Sequence, residues 1–130
     1  MKNTSITSRN GLLILLTVIS PTLATTQAVA GSAQDAKIVM ITATPLWEVL
    51  FVTVNKAVTN PPPCATATRD RNRFVVATNT TAGKATIASL MMAYATQKTV
   101  AIYGKGTLGS ASPCDLWGDT ESIYTVDITP

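Results

Sequence analysis

The chain has 130 residues, carries ten Lys and Arg against seven Asp and Glu, and contains no histidine. Without histidine it lacks the commonest general base and side-chain metal ligand, so Ser-His-Asp and Cys-His catalysis are excluded. Aromatic residues make up only 5% of the chain. This scarcity argues against a groove that binds single-stranded nucleic acid by stacking several bases.

The first 30 residues have the three parts of a secretory signal peptide. Lys2 and Arg9 supply a positive start, residues 11–19 (GLLILLTVI) are apolar, and residues 28–30 (AVA) put small side chains before a cleavage point. The apolar run is about half of the roughly 20 residues that span a bilayer, which argues against a membrane anchor. We therefore predict cleavage after Ala30, with Ala24 and Ala28 as weaker alternatives.

The predicted mature chain, residues 31–130, is short enough to form one small domain. Loss of Lys2 and Arg9 leaves eight basic against seven acidic residues, a net charge near +1. A nearly neutral domain has little electrostatic attraction to nucleic acid or to an anionic membrane. We expect a secreted or periplasmic protein that does not bind nucleic acid or stay attached to a membrane.

Both cysteines, Cys64 and Cys114, lie in the predicted mature chain. An even number of cysteines in a small exported domain predicts a disulfide, and two cysteines allow one intramolecular pairing. The bond would close a loop of about 50 residues, for which chain entropy predicts roughly 3–4 kcal/mol of stabilisation.

Hydrophobic periodicity predicts a mainly β-structured domain with one helix. The predicted strands are residues 37–43, 46–54, 73–78, 99–103 and 122–128, and the predicted helix is residues 82–98. Residues 31–36 are small and polar, which predicts a frayed start. The second strand is apolar on both faces, so we expect both to be covered and Trp47 to belong to the core.

The predicted helix follows from a change to helical spacing. Ile87, Leu90, Met91 and Tyr94 fall on one stripe, and Thr80 or Thr81 can cap its start.

The order strand, strand, strand, helix, strand, strand is that of the OB-fold, a partly open five-stranded barrel. In that barrel the first strand pairs with the second and the fourth, so the loops that follow those two strands emerge at the same end. Cys64 and Cys114 lie in these loops, and a disulfide needs their Cα atoms within about 7 Å. Element order and cysteine position therefore both favour an OB-like barrel with one disulfide, and an open α+β sheet is the alternative.

Asp115, Asp119 and Glu121 form the main acidic cluster of the sequence. Three carboxylates in one loop can hold calcium, and a carboxylate pair can serve a glycosidase. The simpler interpretation is that Asp119 and Glu121 make structural hydrogen bonds beside the arginines of residues 69–73. We adopt that interpretation and predict no metal, no cofactor and no enzymatic activity.

Trp117 is the candidate ligand-binding aromatic, because it follows Cys114 in a loop that the disulfide would hold still. Its ring can stack on the apolar face of a sugar, with Asp119, Glu121 and Arg71 supplying hydrogen bonds. The alternative is that Trp117 folds over an open end of the barrel as part of the core.

The second half of the chain resembles a group of small exported Gram-negative proteins over residues 64–128. The resemblance lies in Phe74-Val75-Val76, Gly83-Lys84-Ala85, Ala93-Tyr94-Ala95 followed by Lys98, the strand Val-x-Ile-Tyr-Gly, and Cys-x-x-Trp-x-Asp-Thr-Glu-Ser-Ile. In element order, helix ending and export, the chain more distantly resembles the B subunits of pentameric A-B toxins of the subtilase-cytotoxin and typhoid-toxin kind.

The toxin resemblance implies a homo-pentamer that binds host glycans and a toxin A subunit. No position here matches the serine-centred sugar site of those toxins, so none of its residues is carried over. We therefore expect a secreted or periplasmic binding module, glycan-binding in the manner of a toxin B subunit. The alternative is a structural or interaction protein of the bacterial envelope that has no small ligand.

Overall fold

The computed structural model describes residues 30–65, 72–107 and 111–130. As predicted, these residues form mainly β-structure with one helix. The elements are β1 Ser32–Ala36, β2 Ile38–Thr44, β3 Val49–Val54, β4 Arg73–Ala77, α1 Thr81–Thr96, β5 Thr99–Gly104 and β6 Ile123–Thr129. Apart from its last residue, the predicted signal peptide lies outside the described residues.

The strands form two three-stranded antiparallel sheets, ordered β1-β5-β6 and β2-β3-β4. An isolated parallel bridge between Val75 and Ser122 connects β4 to the start of β6. There the Val75 N–H donates to the Glu121 carbonyl at 3.0 Å. The described strands therefore make two sheets and not a closed barrel, and there are six of them where the sequence predicted five.

The additional strand is β1, so the prediction of a frayed start for residues 31–36 was wrong. β1 pairs with β5 through Ser32 and Tyr103 and through Ala36 and Val100. The register shifts within β1, where Asp35 has a positive φ of 48°. A bulge of this kind bends a strand, and the chain then leaves β5 and joins β3 as β2.

The second predicted strand is shorter than expected because Pro45 starts a 3-10 turn, Pro45–Trp47. Glu48 follows it with a left-handed φ of 51°, and the strand begins only at Val49. Trp47 therefore lies on the turn, where it is 67% exposed. The prediction that Trp47 belongs to the core was wrong. Side chains alternate between the two faces of a sheet only within a strand, and Trp47 lies on the turn before the strand begins.

Helix α1 begins as predicted, with the Thr80 hydroxyl accepting from the Gly83 N–H at 3.0 Å. Its buried face contains Gly83, Leu90 and Ala93. Met91 and Tyr94 are 48% and 38% exposed, so the predicted stripe was wrong for these two residues. No helix in the described part of the chain is long and apolar enough to cross a bilayer.

The main core lies between the two sheets and α1. It contains Ala33, Ala36, Ile38, Leu50, Val52, Val54, Phe74, Val76, Leu90, Ala93, Val100 and Ile102. A second, smaller cluster of Val49, Phe51 and Val75 lies on the other face of β3 and β4. β3 is therefore covered on both faces, as predicted from the apolar residues on each of them.

Candidate functional site

The predicted disulfide joins Cys64 to Cys114, with Cα atoms 6.2 Å apart. It connects the segment after β3 to the segment between β5 and β6. Disulfides are typical of proteins outside the reducing cytoplasm, so the bond is consistent with a non-cytoplasmic protein. It also fixes the position of the loop that carries Trp117.

Trp117 packs over the smaller cluster on the outer face of β3 and β4. Its ring meets Phe51 edge-on, with centroids 5.1 Å apart and planes at 90°. It meets Trp47 in the same way at 5.9 Å and 85°. Trp117 is therefore half-buried between the sheet and Trp47, and Trp47 is the more exposed ring of the pair.

Arg73 lies beside this aromatic group and holds the following loop. Its Nη2 donates to the Asp119 carboxylate at 3.3 Å and to the Thr120 hydroxyl at 2.8 Å. The guanidinium carbon lies 4.4 Å from the centroid of the Phe51 ring. Asp119 thus pairs with Arg73, one of the arginines beside which the sequence predicted it to lie. Arg71 lies outside the described residues.

A groove of about 500 Å³ runs along the outer face of the β2-β3-β4 sheet, and we call it the threonine groove. It is lined by Met40, Thr42, Thr44, Phe51, Thr53, Asn72 and Arg73. The lining follows from register, because Met40 faces Thr53 and Thr42 faces Phe51 across the β2–β3 pair. Side chains on one face of a strand alternate, so these residues share the outer face.

Trp47 lies beside the threonine groove. A smaller depression of about 270 Å³ runs along residues 43–47 and shares Thr44 with that groove. Leu46, beside Trp47, is 93% exposed. A solvent-facing indole therefore adjoins a groove whose lining includes three threonine hydroxyls, an amide and a guanidinium.

Glu121 is separate from this face. It is 1% exposed, and its carboxylate accepts hydrogen bonds from the backbone N–H groups of Gly31 and Gly106. Burial raises the pKa of Glu121, and the two backbone hydrogen bonds only partly oppose this rise. A carboxylate enclosed in this way cannot reach a surface ligand without opening the fold.

Asp115 takes part in a second groove, which we call the helix groove. This groove is about 370 Å³ and includes the start of α1, Lys105 and the exposed ring of Tyr124. The Asp115 carboxylate pairs with the Lys105 ammonium and accepts from the Ser122 hydroxyl at 2.6 Å. Partial burial acts to raise the pKa of Asp115, but these hydrogen bonds and the Lys105 charge lower it overall.

The three acidic residues thus have three different sets of partners. Asp115 binds Lys105 and Ser122, Asp119 binds Arg73, and Glu121 accepts from backbone amides. In residues 30–65, 72–107 and 111–130, no group of three His, Cys, Asp or Glu side chains is arranged to hold a metal ion.

Sequence reasoning selected Trp117 and Asp119 but missed Trp47 and the threonines. A signal for the threonines is present, since Thr42, Thr44 and Thr53 stand at alternate positions of two adjacent strands. The turn that exposes Trp47 is marked by Thr44-Pro45. In comparisons with known proteins, no family model, no curated protein and no solved structure matches this chain.

Proposed function

We propose that this protein is a secreted or periplasmic sugar-binding module whose site is Trp47 together with the threonine groove. One observation carries the proposal: Trp47, 67% exposed, lines a depression that shares Thr44 with a groove containing three threonines. A tryptophan side chain offers a ligand a large apolar face together with an indole N–H that can donate a hydrogen bond. An indole beside hydroxyl, amide and guanidinium groups is suited to a ligand with both an apolar face and many hydroxyls.

The chemistry of the lining fits such a ligand. Threonine hydroxyls both donate and accept hydrogen bonds, as sugar hydroxyls do. Arg73 adds a positive charge that Thr120 and Asp119 hold in place. Asn72 adds an amide, whose Nδ2 already donates to the Val54 carbonyl at 2.8 Å. The Asn72 side-chain oxygen can accept from a sugar hydroxyl.

The residues around Trp47 hold the site in place. Trp117 supports the Trp47 ring edge-on, and Phe51 supports Trp117. The Cys64–Cys114 bond limits movement of the loop that carries Trp117. A site that is ordered before binding loses less entropy when the ligand arrives.

In this proposal Trp117 and Asp119 keep a role at the site, and Glu121 does not. The Asp119 side chain is 47% exposed beside Arg73, which leaves carboxylate surface for a sugar hydroxyl. Glu121 is enclosed by backbone and serves the interior.

We further infer that the two sheets correspond to an OB-like, partly open barrel. Three pairings support this inference. β1 pairs with β5, β2 pairs with β3, and a parallel bridge links Val75 on β4 to Ser122 before β6. If β1 and β2 are counted as one bent strand, the order around the domain is that of an OB-fold. OB-folds bind ligands on one face of the sheet, and the threonine groove lies on a sheet face.

The experiment is glycan-array binding of the exported protein, with Trp47→Ala as the test variant. We expect the wild type to bind a subset of glycans and Trp47→Ala to lose at least tenfold in affinity while it stays folded, with a melting temperature lowered by no more than about 4 °C. Tyr124→Ala is the matched control, since Tyr124 is 66% exposed on the other sheet.

Two results would contradict the proposal. If Trp47→Ala binds as the wild type does and Tyr124→Ala does not, the sugar site is the helix groove. If the folded wild type binds no glycan, the alternative of an envelope interaction protein is favoured. The toxin-like expectations of a pentamer and an A-subunit partner are separate from this site, and light scattering of the purified protein tests the pentamer directly.

A further inference from the structure

The buried carboxylate of Glu121 lies against the backbone nitrogen of Gly31. The Gly31 nitrogen is 3.2 Å from Glu121 Oε1 and 3.0 Å from Oε2, and both distances are hydrogen bonds. The Gly106 N–H donates to Oε1 at 2.9 Å. Glu121 is 1% exposed, and burial raises its pKa. The carboxylate thus lies in the interior between the start of β1 and the end of β5.

Glycines make room for this carboxylate. A Cβ atom added to Gly104 would overlap the Glu121 carboxylate carbon and both of its oxygens. A Cβ atom added to Gly31 would overlap Glu121 Oε2 and come within 2.7 Å of Val58 Cγ1. The carboxylate therefore fits only because glycines stand at both positions, Gly31 and Gly104.

Within the described residues, no cationic side chain pairs with this carboxylate. The nearby basic residues have other partners: Lys105 pairs with Asp115, and Arg73 binds Asp119 and Thr120. A buried carboxylate that has hydrogen bonds but no opposite charge is costly to ionise. This explains why its pKa is raised despite two backbone donors.

The predicted cleavage after Ala30 supplies the missing charge at this nitrogen. Hydrolysis of the Ala30–Gly31 amide by a signal peptidase consumes one water and leaves a carboxylate on Ala30, which departs with the leader. The Gly31 nitrogen becomes a primary amine, and with an ordinary pKa of about 7.7–8.0 it binds a proton at neutral pH. In the structure this nitrogen already lies within hydrogen-bond distance of both Glu121 oxygens.

We propose that Glu121 is the binding site for the α-ammonium group of Gly31 in the processed chain. Removal of the leader then turns a neutral hydrogen bond into a buried ion pair that ties the start of β1 to the segment before β6. The processed protein is then more stable than a chain that keeps one or more residues before Gly31. The inference rests on the predicted cleavage site and is independent of sugar binding.

The pH dependence of this stabilisation follows from the direction in which Glu121 shifts the pKa of the Gly31 amine. The carboxylate raises the pKa of the Gly31 ammonium above its unfolded value. The stabilisation is therefore fully present below about pH 7.7, the unfolded pKa of the amine, as long as Glu121 is ionised, and it is lost as the pH rises through the higher folded pKa. It is lost again in acid, where the Glu121 carboxylate takes up a proton at a pKa that burial raises. Charged groups on the neighbouring segments include Lys105, Asp115 and Arg73. Asp35 lies on β1, and the Lys56 ammonium donates to the Gln34 carbonyl of that strand at 3.3 Å. All of these groups are present in every variant compared.

The experiment exports the full precursor and first measures the mass of the product, which we expect to begin at Gly31. A second precursor carries one serine inserted between Ala30 and Gly31, so that its product has the amine one residue too far out. We expect this product to melt at least about 4 °C lower at pH 7. The difference should disappear above pH 10, where the amine is neutral.

Glu121→Gln is the matched control, and it should abolish the difference between the two products. If that variant does not fold, titration of the wild-type α-amine by nuclear magnetic resonance decides the matter alone. We expect its pKa to exceed the ordinary value by at least about one unit, a tenfold gain in proton affinity. An ordinary amine pKa, equal melting temperatures for the two products, or a product that begins elsewhere than Gly31 would each overturn the proposal.

Discussion

The Arg73 guanidinium carbon lies 4.4 Å from the centroid of the Phe51 ring. The two residues are diagonal neighbours on the outer face of the β3–β4 pair, because Thr53 faces Arg73 and Phe51 faces Val75. Such diagonal pairs are within reach of long and aromatic side chains. The same guanidinium reaches Asp119, so one side chain joins the sheet to the loop that carries Trp117.

Replacement of Arg73 should therefore weaken the domain. We expect Arg73→Ala to lower the free energy of unfolding by about 1–2 kcal/mol, because it removes the contact with Phe51 and the hydrogen bonds to the loop. Urea unfolding followed by tryptophan fluorescence measures this directly. Lys84→Ala, at an exposed position of α1, should change stability by less than about 0.5 kcal/mol. Equal effects of the two substitutions would show that Arg73 does not hold the loop.

The two tryptophans should respond differently to truncation. Trp117 packs on Phe51 and is half-buried, so Trp117→Ala should lower the free energy of unfolding by about 2–3 kcal/mol, somewhat less than for a fully buried tryptophan. Trp47 is 67% exposed, and Trp47→Ala should cost less than about 1 kcal/mol. Thermal melting of both variants tests this order. A greater loss for Trp47→Ala would mean that Trp47 supports Trp117, and not the reverse.

Loss of the disulfide should destabilise the domain strongly. The bond spans 50 residues of sequence, and Cys64→Ala should lower the free energy of unfolding by about 2–4 kcal/mol. The double variant Cys64→Ala/Cys114→Ala should lose about the same amount, since both lack the same link. Denaturant unfolding with and without a reductant provides the measurement. Free thiols titrating in the native wild type would contradict the bond itself.

Gly104 should not tolerate even a methyl group. An added Cβ atom would overlap the Glu121 carboxylate, which is 1% exposed and would have to lose its hydrogen bonds to Gly31 and Gly106 to move away. We expect Gly104→Ala to lower the free energy of unfolding by about 1–3 kcal/mol. Gly118→Ala is the matched control, because an added Cβ there meets no atom within 4 Å. Similar melting temperatures for the two variants would place Glu121 elsewhere.

Asp115 should make the domain sensitive to acid. Its pKa is lowered in the folded state, so its contribution is present above the unfolded pKa of about 3.9 and is lost as the pH falls through the lower folded value. The carboxylate is about one-third exposed, which limits the effect to about 1 kcal/mol. Asp115→Asn should cost this amount at pH 7 and less at pH 2, because the carboxylate takes up a proton as the pH falls. A loss that is the same at both pH values would rule out the charge as its source.

Several features of the fold could be predicted from the sequence because they depend on short-range chemistry. The helix follows from local periodicity and the Thr80 cap, and all five predicted strands lie within three residues of strands in the structure. The disulfide follows from cysteine number, since two cysteines have one partner each. β3 could be predicted to be covered on both faces because every residue of the strand except Thr53 is apolar.

Other features were decided only by tertiary structure. β1 is polar and small in sequence, and it becomes a strand because β5 offers it a pairing edge. Trp47 lies outside the core because the Pro45 turn ends the alternation that would have placed it. Glu121 looked like one of three equivalent loop carboxylates, yet it alone is buried, because Gly31, Gly104 and Gly106 come from distant segments to surround it. Sequence determines which residues can adopt such contacts, but the contacts themselves join positions as far as 90 residues apart, and only the packed chain brings those positions together.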